Sequence, residues 1–388
     1  MNKPRALLLA VFVLALQFAC SPPPEEAGQP LGDVEGASWP VFRGDAAMSG
    51  VARDPIPEEP DLLWSFDTGA VIVSSPVIGH GMIYIGSTNG GVFALALGTG
   101  RKEWEFFSDD DIEASPLLLE GSVYIGNLSG ELFALDAGTG EVEWTFKADN
   151  SIYGSANWAP APGGSGNHIY VGSYDNRVYS LNAATGALNW SYETDNYING
   201  APATDGRHVI FGGCDEILHV ISTADGTKLG EIWAGSYIPG SAALIEGRAY
   251  LGHYDNKLAC IDIVEQRIVW EYEDKRNGGP FFASPAVGRD RVVIGSRDEF
   301  LHCVDRETGA PVWTFRTRNE IDGSPVISGD KVVFGSIDGW IYVVGLRDGR
   351  ELWSYEIGAA ILGSPAVAGG FVAIGAEDGR LYVFGETK

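Results

Sequence analysis

From Leu62 onward, apolar and polar residues alternate in short runs, and each run is cut by a turn signal such as Asp-Gly or Thr-Gly. Strict alternation over a few residues, bounded by glycine and asparagine, predicts short antiparallel strands. In 114–146 the pattern predicts strands at Ser115–Leu119, Val123–Gly126, Glu131–Asp136 and Val142–Phe146, joined by turns at Glu120-Gly121, Leu128–Gly130 and Gly138–Gly140. No stretch after Phe18 carries the pattern of a long amphipathic helix.

The same unit of about forty residues recurs to the C-terminus, and two columns count it. Tryptophans stand at 64, 104, 144, 190, 270, 313 and 353, with Gly230 where an eighth would fall. A small residue follows each marker: Ser75, Ser115, Ser155, Ala201, Ser241, Ser284, Ser324 and Ser364. One four-stranded sheet of this length cannot bury both faces alone, so the copies must stack around an axis. The fold class is therefore all-β: an eight-bladed β-propeller of four-stranded antiparallel blades. The last copy ends after its third strand, Leu381–Phe384, whereas an orphan strand, Leu62–Phe66, precedes the first. Pairing the two completes blade eight and removes an open sheet edge.

The N-terminus changes the picture from fold to address. Lys3 and Arg5 precede an apolar run, Ala6–Phe18, which is too short to span a bilayer but suits a secretory signal over residues 1–19. Cys20 and the Pro-rich acidic stretch after it resemble the lipidation site and tether of a bacterial lipoprotein, with lead-in to residue 60 and propeller from 61 to 388. By that resemblance, Ser21 after the cysteine implies the outer membrane, facing the periplasm; a soluble periplasmic or secreted protein is the alternative. The formal charge of −26 repels phosphate backbones and anionic headgroups, which argues against nucleic acid as a partner and leaves the lipid anchor as the membrane contact. A monomer is expected.

Other candidate chemistry reduces to packing and turns. Cys260 and Cys303 share a column with Ala94, Ala134 and Ser180, a small inward position, so no disulfide is assigned. His219 and His302 replace Phe93, Phe133, Tyr179, Tyr342 and Tyr382 and read as packing substitutes, so no metal site is assigned. The column Asp175, Asp215, Asp255, Asp298, Asp338 and Asp378 reads as hairpin-turn chemistry.

Ala134, Asp136, Thr139, Gly140 and Trp144 match the A-x-D-x-x-T-G-x-x-x-W repeat of the quinoprotein propeller superfamily, and Trp39-Pro40-Val41-Phe42-Arg43-Gly44 resembles the W-x-x-F-R-G lead-in of its bacterial members. The resemblance spans nearly the whole chain after the signal. It implies one of two roles. Quinoprotein dehydrogenases hold pyrroloquinoline quinone (PQQ) and calcium at the axis, often beside a disulfide of adjacent cysteines, which this chain lacks. BamB-like outer-membrane assembly lipoproteins carry the propeller without cofactor and support insertion of β-barrel proteins. Signal, tether and short blades resemble the second case, implying a non-catalytic scaffold for an envelope protein, with no cofactor or metal.

The loops leading into the innermost strands, termed inner loops below, converge on the axis and are where specificity belongs. Each carries an apolar residue, from Ile72 through Phe281 to Ile361, followed by a variable one: Val73, Glu113, Tyr153, Asn199, Pro239, Phe282, Asp322 and Leu362. Glu113, Tyr153, Asn199, Phe282 and Asp322 are the candidate binding residues, with Asp109–Asp111 on the approach. The lengthened loop between blades five and six adds the basic pair Lys275 and Arg276. Glu113, Asn199 or Asp322 would serve calcium in the dehydrogenase alternative, and Tyr153, Phe282 and Trp340 a sugar in a glycan-binding one. The insertion Trp158–Asn167 is expected on the opposite rim, with Trp158 packed against its blade.

Overall fold

The alternating runs form strands throughout a computed structural model of the chain, which describes residues 36–276 and 278–387. They assemble into eight sheets, seven of four strands and one of five, each blade antiparallel. In blade two the strands are Leu117–Leu119, Ser122–Gly126, Glu131–Asp136 and Val142–Lys147. The innermost begins two residues later than its alternation suggests. Pro116 has no N–H to donate, and the Ser115 hydroxyl is committed to the Ser75 N–H of blade one at 2.8 Å. Asp61–Asp67 pairs antiparallel with Arg380–Gly385, from Asp61 opposite Gly385 to Asp67 opposite Arg380, so the ring is sealed by its leading segment.

Neighbouring blades meet through the two columns read in the sequence. Trp104 Nε1 donates to the Ala137 carbonyl of blade two at 2.9 Å, and its ring covers Gly140, where a Cβ would lie 2.6 Å from it. Only a residue without a side chain fits the Thr-Gly turn at that approach, and its φ of +74° favours glycine as well. The exception explains itself. Gly230 lacks the indole, and the neighbouring blade carries Gln266 in the turn-glycine column; the Gln266 amide packs on Gly230 and donates to the Leu229 carbonyl at 3.1 Å.

Nearer the axis, a glycine stands at or next to the end of each blade's second strand, and the next blade's apolar inner-loop residue is pressed against it, as Ile152 is on Gly126. The serines form an inner belt. Backbone N–H groups of Ser75, Ala201, Ser241, Ser284, Ser324 and Ser364 each donate to the serine Oγ of the following blade at 2.8–2.9 Å.

The lead-in segment closes one end of the axis. It leaves blade one at the Trp39–Ile78 bridge and passes blade two, where Leu118 N–H donates to the Pro40 carbonyl. It then offers carbonyls to the N–H groups of Thr204, Leu244, Val287 and Ile327 in blades four to seven, and ends as Val51–Ala52 parallel to Val326–Ser328. Arg43 is buried beneath the ring and donates to the Pro285 and Pro325 carbonyls at 3.2 and 2.6 Å. Burial pulls its guanidinium down to about 9, with Asp45 opposing the shift.

Candidate functional site: the mouth of the central channel

The innermost strands run from the inner loops to the lead-in, so Val73 and its equivalents stand at one end of the axis and Ile78 and its equivalents at the other. A cavity of about 180 Å³ lies between them. All eight variable positions line it, the serine belt forms its wall, and Phe42 of the lead-in lies at its base. Glu113, Tyr153, Asn199, Phe282 and Asp322 are thus brought together around one blind cup.

Each variable residue has two companions that single-column reading missed. In every blade the loop after the second strand docks on the inner loop through one backbone bond, as Leu128 N–H does on the Asp111 carbonyl and Tyr174 N–H on that of Ser151. Three variable positions per blade therefore face the mouth, and they are sorted. Aromatic side chains occupy blades three to six: Tyr153, Tyr174, Tyr197, Tyr237, Tyr254 and Phe282. Carboxylates occupy blades two, seven and eight: Asp111, Glu113, Glu320, Asp322 and Glu377. The rings form two runs. Tyr174 lies 4.4 Å from Tyr153 and stacks on Tyr197 at 4.8 Å; Tyr254 lies 6.4 Å from Tyr237 and 5.7 Å from Phe282. Tyr197, Tyr237 and Tyr254 are about half exposed.

Electrostatics differ around the cup. Burial, and then Asp111, raises the Glu113 carboxyl above its usual range. Asp322 is engaged: Arg297 donates to both its oxygens at 2.8 and 2.7 Å while its guanidinium carbon sits 3.5 Å from the Phe282 ring centroid. Asn199 accepts from the Tyr174 hydroxyl at 2.8 Å and donates to Cys214 Sγ at 3.2 Å.

Some expected residues lie elsewhere. Lys275 and Arg276 do not line the cup; Arg276 pairs with Asp274 at 2.7 Å and lines a separate recess with Arg297, Asp298 and Arg316. Trp340 lies outside the cup too, beneath the Arg318 guanidinium at 5.2 Å, so it does not join Tyr153 and Phe282 in a sugar platform. Trp158 packs against its blade, and its hairpin projects on the lead-in side. Cys214, Cys260 and Cys303 are free thiols. Cys20 lies outside the described residues.

The histidines carry more than packing. His302 pairs with the Asp298 carboxylate through Nε2 at 3.1 Å and with the Tyr272 hydroxyl through Nδ1 at 3.0 Å; His219 meets Asp215 and Tyr192 in the same way. Where the column is tyrosine, its hydroxyl reaches the same aspartate, as Tyr179 reaches Asp175 and Tyr342 reaches Asp338. Each of these aspartates also accepts a backbone N–H two residues on, which is the turn chemistry expected of it. The i, i+4 spacing was the missed signal. Asp274, Asp298 and His302 come within 4.8 Å of one another and are buried, a triad capable of holding a metal ion that column reading did not find; Arg276 holds the Asp274 carboxyl below its usual range there.

The PQQ and calcium that the resemblance implies for dehydrogenases do not fit the cup. Its volume is below the roughly 300 Å³ at which small-molecule pockets begin. The quinone is a tricarboxylate, and the ionisable groups lining the cup are Glu113, Asp322 and the Tyr153 phenol rather than cations. Of the three residues proposed for calcium, Asp322 and Asn199 already have their side-chain oxygens bonded by Arg297 and Tyr174.

Sequence comparison agrees with this architecture. The family described as outer membrane protein assembly factor BamB (PQQ_2) matches residues 57–157, 151–273 and 255–387. The chain belongs to this family. Among solved structures it is similar to BamB from Moraxella catarrhalis, with 21% identity and a TM-score of 0.69 over 84% of this chain and 98% of that one. The computationally designed Ika8 protein aligns at 18% identity and a TM-score of 0.73, over 84% and 99%. Quinohemoprotein alcohol dehydrogenase from Comamonas testosteroni aligns at 14% identity and a TM-score of 0.70, over 90% and 81%. At such identities these neighbours speak for the propeller alone. No curated protein sequence matches the chain.

Proposed function

We propose that this member of the BamB family is a non-catalytic scaffold of the bacterial envelope that holds a protein partner at the channel mouth and supports assembly of outer-membrane β-barrel proteins. One observation carries the reading: three variable side chains per blade are displayed on a rigid ring around a cup whose other end is closed by the chain itself. Half-exposed aromatic rings on a fixed scaffold are the composition of protein-binding hot spots, because they bury large area at little cost in side-chain entropy. Lipidation at Cys20 and a periplasm-facing position at the outer membrane complete the proposal, with the acidic stretch after it as tether.

A photo-crosslinking residue at Tyr197 or Tyr237 in living cells tests it, with Ser165 on the opposite rim as reference. Adducts with a β-barrel assembly component from the mouth positions support the reading. Adducts confined to Ser165, or none at the mouth, overturn it. Mass spectrometry of the wild type against Cys20→Ala tests the anchor separately, since only a lipidated cysteine adds acyl mass that the variant lacks.

A further inference from the structure

The mouth has two boundaries where its aromatic half meets its acidic half, and the chain fills only one. Between blades six and seven, Arg297 lies over the Phe282 ring and donates to both oxygens of Asp322, with Glu320 at 3.4 Å as a second carboxylate. A cation over an aromatic face and paired with a carboxylate gains from both contacts, most where water is partly excluded. Between blades two and three the same elements recur in reverse order: Glu113 in the variable ring, Asp111 two residues before it in the inner loop, and the Tyr153 ring from the next blade. The position equivalent to Arg297 here is Leu128. Among the described residues no Lys, Arg or His pairs with Glu113 or Asp111; the charged neighbour of Glu113 is Asp111, another carboxylate. Glu113 and Tyr153 both line the cup, and burial, then Glu113, raises the Tyr153 hydroxyl above its usual range.

We propose that the Glu113–Tyr153 boundary is a seat for an arginine or lysine side chain of a partner polypeptide, which would lie over the Tyr153 ring and against Glu113 as Arg297 lies over Phe282 and against Asp322. The inference rests on the protein-binding reading above and names the chemistry its partner must present. Charge complementarity selects this occupant: a chain of net charge −26 draws basic segments toward itself, and the cup admits a single side chain rather than a folded element.

Saturation-transfer NMR on the full chain with acetyl-Gly-Arg-Gly-amide, its lysine counterpart and its glutamate counterpart tests the seat. Saturable binding of the two basic peptides and none of the acidic one is expected. Glu113→Gln and Tyr153→Leu each weaken it about tenfold or more, as loss of a charge-assisted bond or of a cation–π face does. Ser165→Ala, on the opposite rim, leaves it unchanged. Arg297→Ser frees the second boundary and raises the stoichiometry from one peptide to two. Circular dichroism melts of each variant separate loss of the seat from loss of the fold. Binding absent from a folded wild type, or indifferent to Glu113→Gln, overturns the seat. In that event crosslinks from Tyr197 and Tyr237 still decide the broader protein-binding reading on their own.

Discussion

The two ends of this propeller are built on the same eight strands and are treated in opposite ways. At the lead-in end the chain satisfies itself: carbonyls from Pro40 to Gly50 take backbone N–H groups around the ring, and Arg43 and Met48 are buried in the plug. At the mouth the backbone is equally regular, yet the side chains differ from blade to blade and Tyr197, Tyr237 and Tyr254 are left half exposed. Here the lead-in occupies one end of the axis. The other end is then free to vary, because substitutions there disturb no backbone bond and little packing.

That contrast can be broken most severely at the closure. Deleting Asp61–Asp67 removes the outer strand of blade eight and exposes the edge of Arg380–Gly385; the expected outcome is unfolding or oligomerisation, seen by light scattering and a lost thermal transition. An unchanged monomer with an unchanged melting temperature would refute closure by this strand. Next in size is Gly50→Ala within the plug. Its φ is +66° and a Cβ would lie 2.0 Å from Arg43 Nη2, so about 2–4 kcal/mol should be lost in chemical denaturation. Phe42→Ala at the base of the cup should cost about 2 kcal/mol and deepen the cup without altering the mouth. A xenon-pressurised crystal would reveal the added space.

Mouth substitutions should do the reverse, sparing stability and removing binding. Tyr197→Ser and Tyr237→Ser are expected to shift stability by no more than about 1 kcal/mol while abolishing the envelope crosslinks made from neighbouring mouth positions. The smallest effect belongs to the pair of Asp274 and Arg276. Arg276 holds the Asp274 carboxyl below its unperturbed 3.8, so the pair adds stability above that value and loses it as the pH falls through the lowered pKa. With the guanidinium largely exposed, Arg276→Ala should lower the melting temperature slightly at pH 7 and not measurably near pH 2 in parallel melts. A pH-independent cost would assign the loss to packing instead.

Much of this was legible in one dimension. The Trp and Ser columns counted the blades, and the orphan Leu62–Phe66 announced the closure, because a repeat writes its packing rule once per copy. Interactions that cross copies were less legible. Gln266 under Gly230 looks like turn filler until the neighbouring blade is placed on it. The Asp298–His302 contact joins two columns that had been read separately. Lys275 and Arg276 belong to the lengthened inner loop, yet Arg276 turns to Asp274 rather than to the cup.

The amino-acid order by itself determined the strands, the number of blades, the way the ring is sealed and the family to which the chain belongs, since each follows from period-two alternation and a repeated marker. Only the tertiary structure decided how the mouth is organised. Sorting into an aromatic half and an acidic half exists only after residues as distant as Glu113 and Asp322 are brought around one axis, where their charges and rings act on a common volume. Spacing along a chain encodes which faces must be buried; the angle at which eight sheets meet encodes which side chains become neighbours.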